Sequence, residues 1–121
     1  MKLWNATKDS IAVENLEIAE SFGSRLTGLL GRSELPEGTA LLLIDTKSIH
    51  MFFMRFAIDA VFLDAAMQVV KIVPELGVWR TAACREAKHT LELPAGAAAK
   101  AGIEIGDVLK KVNEQQEARV G

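Results

Sequence analysis

Residues 48–64, SIHMFFMRFAIDAVFLD, decide how the rest of the chain is read. The stretch is largely apolar, yet it carries His50, Arg55, Asp59 and Asp64, with Met51 and Met54 between them. Phe52, Phe53, Phe56, Val61 and Phe62 favour extended backbone, because aromatic and β-branched side chains pack well on a pleated surface. The second half alternates: Ile58, Ala60 and Phe62 oppose Asp59, Val61 and Leu63, as in a strand with two faces. The stretch therefore reads as core strand, interrupted by a charged corner formed by Arg55 and Asp59. On a strand, His50 and Met54 share a face but lie about 13 Å apart, so no single ion bridges them. Neither a CxxC, an HExxH nor an acidic calcium loop occurs elsewhere. No metal and no cofactor is expected.

Working outward, QVVKIV (68–73) returns as a second strand, which Pro74 should end because proline cannot donate to a ladder. ELGVWRTAACREA (75–87) reads as an irregular connection. KHTLEL (88–93) is a strand with His89, Leu91 and Leu93 on one face and Thr90 and Glu92 on the other. PAGAAAKAG (94–102) reads as a short helix with Pro94 at its start and Gly102 at its end. The backbone N–H groups of Gly96 and Ala97 would then be free to receive an anion. IEIGDVLKKV (103–112) is a last strand broken by a turn at Gly106 and Asp107, and the polar tail 113–121 frays.

Upstream, KLWNAT (2–7) and SIAVENLEIA (10–19) read as short strands, the second broken near Glu14 and Asn15, where the apolar register slips. SFGSRLTGLLGR (21–32) changes to a helical period, with Phe22, Leu26, Leu29 and Leu30 on one stripe. Its glycines cost about 1 kcal/mol each in a helix interior, so packing must hold it, with Gly28 allowing close approach. TALLLID (39–45) is a continuous apolar run, the mark of a strand covered on both faces. Short strands at hairpin spacing predict a mainly β, small antiparallel barrel or sandwich with one or two short helices. The 121 residues form a single domain.

Composition excludes some functions. A net charge of −2 gives no general attraction to nucleic acid or to an anionic membrane. One cysteine, Cys84, rules out an internal disulfide and fits a reducing compartment. The first residues lack the apolar run of a signal peptide, and no apolar run is long enough to span a bilayer. A cytoplasmic protein is expected. Cys84 and His89, five apart, diverge on either a strand or a helix, which argues against a thiol–imidazole pair between them. His89 reads as a hydrogen-bonded core histidine.

Charges inside an apolar motif can orient a ligand at the end of a pocket. The candidate site is thus a shallow pocket at the central hairpin. Met51 and Met54 would line it, Arg55 and Arg25 would contact an anion, and Asp59 and Glu92 would accept hydrogen bonds. A small-ligand-binding or partner-binding module is the leading reading, with an unidentified small molecule or protein as partner. Two others stay open: a hydrolase or lyase using Asp59 and Glu92 as acid and base, and an interaction protein that pairs with itself or another chain.

Four segments, RLTGLLGR, HMFFMRFAIDAVFLD, LELPAG and GIEIGDVL, occur in an order and spacing that resembles domain-of-unknown-function family 192. The likeness spans about residues 10–112. It implies a compact, mostly β domain without an established activity. It points to Arg25, Gly28, Met54, Arg55, Asp59, Glu92, Gly96, Gly106 and Asp107, the glycines and Asp107 for turns and packing. Similar proteins often have proline where this chain has Ala57.

Overall fold

The computed structural model describes residues 1–21, 29 and 32–113. The helix read over 21–32, with Arg25 and Gly28, lies almost entirely outside the described residues. The fold is mainly β, as the short-strand pattern requires. Its centre is a five-stranded sheet in the order β3 (Asn15–Ala19), β4 (Thr39–Leu43), β9 (His89–Pro94), β6 (Ile58–Leu63), β7 (Val69–Leu76). A three-stranded sheet, β10 (Leu109–Val112), β1 (Lys2–Asn5) and β2 (Ser10–Val13), lies over one face. A two-stranded ribbon of β5 (Ser48–His50) and β8 (Thr81–Ala83) lies over the other. Among the described residues there is one helix, α1 (Ala97–Lys100). No helix of the described residues is long and apolar enough to cross a membrane.

Two apolar layers result. The first joins Leu42, Val61, Leu91 and Leu93 to Leu3, Val13 and Leu109 of the smaller sheet and to Ala98 of α1. The second joins Leu41, Ala60 and Phe62 to Ile49, Met51 and Cys84 beneath the ribbon. Alternate residues of β4 and β6 enter opposite layers, which is why TALLL and IDAVFL are buried nearly throughout.

Four local readings change. The slip at Glu14 and Asn15 is a change of sheet: both N–H groups donate to the Gly38 carbonyl (3.1 and 2.9 Å), and the chain passes from β2 to β3. β3 and β4 pair in parallel, an exception to the antiparallel rule, and residues 20–38 supply the long crossover this needs. The irregular connection contains β8, paired with β5. Pro74 does not end its strand. β7 is an edge strand, where a missing donor costs little, and the chain continues to Leu76 through a register shift.

The turn at Gly106 and Asp107 closes the small sheet onto the rest. Asp107 is buried; its Oδ2 accepts from Asn5 Nδ2 (2.9 Å) and the Glu104 N–H (2.9 Å), and Lys8 Nζ lies 3.2 Å away. Burial alone would push this carboxyl up, but its bonds with Asn5, Glu104 and Lys8 outweigh that and hold it below the ordinary value. Asp107→Ala leaves the Asn5 amide and the Glu104 N–H without their acceptor. It is expected to lower stability by about 2–4 kcal/mol in urea unfolding. A loss under about 1 kcal/mol would show that the turn holds itself.

Candidate functional site

The six candidate side chains separate. Residues 51–57 are not strand: β5 stops at His50 and the chain turns at 51–54, closed by the Met54 N–H on the Met51 carbonyl (3.3 Å). Met51 is buried and Met54 half-buried, both in the layer under the ribbon. Arg55 is exposed and forms no ion pair with Asp59 among the described residues. The charged corner is therefore not a paired unit.

Asp59 is 1 % exposed, and both its oxygens accept hydrogen bonds. Its Oδ1 accepts from the N–H groups of Glu75 (2.8 Å) and Gly96 (3.0 Å), and its Oδ2 from that of Ala98 (2.9 Å). One carboxylate thus supports the irregular part of β7 and the start of α1. Helix α1 has no local side-chain cap, and Gly96 precedes it in a left-handed conformation (φ 87°). The anion expected at that turn is the protein's own Asp59. Pro94, expected to start the helix, is the last residue of β9.

Glu92 is set differently. In the ladder Asp59 stands opposite Leu93, whereas Ala60 stands opposite Glu92, and Leu41 flanks Glu92 from β4. Alternation then puts Asp59 on the face of Val61 and Leu93, and Glu92 on the face of Leu41 and Ala60. The two carboxyls lie on opposite faces of one sheet. They cannot share a cleft, so the acid–base pair considered from sequence is corrected.

Glu92 is 6 % exposed on the central strand, among apolar side chains. It has no hydrogen-bond partner among the described residues. Burial pushes its carboxyl up to about 7, with the charge of Arg32 pulling weakly the other way. The Arg32 guanidinium is itself bound by Glu17 (2.8 and 3.2 Å). A carboxyl in this state can hold or release a proton near neutrality and can accept a donor brought by a ligand.

The other polar candidates are structural or separate. His89 Nδ1 accepts the Asp45 N–H (3.0 Å), and burial lowers its pKa. Cys84 is buried, with Sγ 3.5 Å from Glu86 Oε2. Among the described residues no three His, Cys, Asp or Glu side chains gather at one point. A hollow of about 140 Å³ lies elsewhere, between β2, the start of β4, the end of β9 and α1, with Lys100 and Glu37 at its rim. None of the six candidates lines it.

Sequence reasoning missed the exposed aromatic residues. Phe52 and Phe53 read as strand core, yet they stand in solvent with Trp79. The signal available was Gly77 two residues before Trp79, a turn marker.

The sequence profile of the family described as "Uncharacterized ACR", domain-of-unknown-function family 192, matches residues 4–111. A UPF0127 protein of Thermococcus sibiricus is 33% identical over 122 residues, covering 96% of this chain and 79% of its own. One from Pyrococcus furiosus is 33% identical over 110 residues, covering 88% and 94%. A crystal structure of a protein of unknown function from Novosphingobium aromaticivorans has the same fold. Its TM-score is 0.81 at 19% identity, over 92% of this chain and 84% of that one.

Proposed function

The chain belongs to domain-of-unknown-function family 192, and we propose that this member is a small-molecule-binding module centred on Glu92. The observation that carries the reading is a carboxyl, 6 % exposed on the central strand among apolar side chains, that has no hydrogen-bond partner among the described residues. A carboxyl in apolar surroundings is costly unless something pairs with it. A natural complement is a molecule with an apolar body and one cationic or hydrogen-bond-donating group. Leu41, Ala60 and Met51 belong to the apolar layer that would receive the body, and Met54, flexible and half-buried, would adapt to its shape. Asp59 takes no part, because it lies on the opposite face of the sheet and is held by three backbone N–H groups. The buried lone thiol of Cys84 supports placing the module in a reducing compartment, the cytoplasm.

The test uses a graded series of n-alkylamines, from butyl to decyl, in thermal unfolding at pH 8. Wild type should gain in midpoint with chain length, saturably, while Glu92→Leu should not respond. An equal response from the two proteins, or none from wild type, overturns the reading.

A further inference from the structure

Two turns side by side present aromatic side chains at an unusual backbone position. One spans 51–54; the other spans 77–80 and is closed by the Arg80 N–H on the Gly77 carbonyl (3.2 Å). Each has an aromatic residue in its third place, Phe53 with φ 65° and Trp79 with φ 66°. A left-handed third position suits glycine or asparagine, and a bulky side chain there is strained. Both side chains are nevertheless exposed, Phe53 by 72 % and Trp79 by 57 %. Folding alone gives no reason to keep them.

The turns are locked together: the Met51 N–H donates to the Arg80 carbonyl (2.7 Å) and the Trp79 N–H to the Met51 carbonyl (2.9 Å). Phe53 and Trp79 meet edge-on at 4.9 Å, Phe52 lies 5.6 Å from Trp79, and His50 lies 4.9 Å from Phe52. Exposed Arg80 follows Trp79 directly, and exposed Arg55 stands two residues beyond Phe53.

We infer that this pair of turns docks the protein on a lipid surface bearing anionic headgroups. The aromatic tips would enter the interfacial region while Arg55 and Arg80 meet phosphates. Four features favour this occupant. The tips are turns projecting into solvent, suited to entering a deformable layer. Their backbones are cross-bonded, which reduces the polar groups that must leave water. The rings pack on one another instead of presenting one open face, which disfavours base stacking. Two exposed arginines next to these turns in the chain disfavour a second copy laid face to face. The net charge of −2 means that apolar insertion must supply most of the attraction, with the arginines setting the preference for anionic lipid.

The experiment is vesicle co-sedimentation together with tryptophan emission, in a Trp4→Phe background so that Trp79 alone reports. Vesicles are phosphatidylcholine with or without phosphatidylglycerol. Sedimentation and a blue shift are expected, stronger with the anionic lipid. Phe53→Gly with Trp79→Gly, tested in the wild-type background by sedimentation, should bind at least tenfold more weakly with an unchanged or higher unfolding midpoint. Arg55→Gln with Arg80→Gln should remove the preference for phosphatidylglycerol but keep the blue shift. No binding of wild type to either vesicle, or undiminished binding of the double glycine variant, overturns the proposal. So does a blue shift that appears without lipid on raising protein concentration, which would assign the patch to self-association.

Discussion

Asp59→Ala is expected to destabilise the protein by about 3–5 kcal/mol, among the largest effects of any single side-chain truncation in this fold. The carboxylate is buried and accepts three backbone N–H groups, from Glu75, Gly96 and Ala98. The bond from Ala98 is buried, and those from Glu75 and Gly96 are part-buried. Glu75 has a positive φ of 50° beside Pro74, where the ladder between β6 and β7 shifts register. Gly96 precedes, and Ala98 belongs to, a four-residue helix with no local side-chain cap. The orphaned buried donor of Ala98 costs about 1–3 kcal/mol, the part-buried donors of Glu75 and Gly96 cost less each, and relaxation keeps the sum below full additivity. Asp59→Asn should lose less, since its one carbonyl oxygen can still accept. Urea unfolding measures both. A loss below about 1 kcal/mol for the alanine variant would mean that water replaces the carboxylate without strain, and the role given to Asp59 would be wrong. Ligand binding at Glu92 should survive Asp59→Asn under conditions where the variant is folded, because the two residues occupy opposite faces.

What could be read from the sequence follows the range of the interaction. Local signals sufficed for the core strands. The apolar run at 39–45 marks β4, covered on both faces, and the alternation at 58–63 marks β6. The register slip at Glu14 marks the passage between sheets. Long-range partners were not legible. Asp59 reaches residues 16, 37 and 39 positions away, so its neighbour Arg55 suggested a pairing that the fold does not make. Pro74 suggested a strand end because edge position, which makes it tolerable, is a property of the whole sheet. Phe52 and Phe53 suggested core because a composition signal cannot tell an apolar residue in a layer from one held at a turn tip. Glu92 was selected as an acceptor, but its separation from Asp59 depends on one step of register between β6 and β9.

That step of register also sets how Glu92 should respond to pH. Its carboxyl stands at about 7 in the folded protein against 4.5 for an ordinary glutamate, because burial disfavours the charged form. Below 4.5 both folded and unfolded chains carry the proton, and the group is neutral in the balance. Between 4.5 and about 7 the folded protein retains a proton that the unfolded chain has released, so its contribution to stability falls as pH rises. Above about 7 the loss is complete and levels off at about 3 kcal/mol for the full shift. Glu92→Gln removes the titration while keeping the shape. The variant should therefore match wild type at pH 4 and exceed it by about 2–3 kcal/mol at pH 8 in urea unfolding. Taking the difference between the two proteins cancels the other titrating groups. A gap that does not change with pH would place the Glu92 carboxyl in a solvated environment and remove the basis for a ligand there. A gap that opens as described would mean that the native residue lowers stability at neutral pH. A saturating alkylamine that pairs with the carboxylate should close much of that gap for wild type and leave Glu92→Gln unmoved, which ties the electrostatic cost to a binding role.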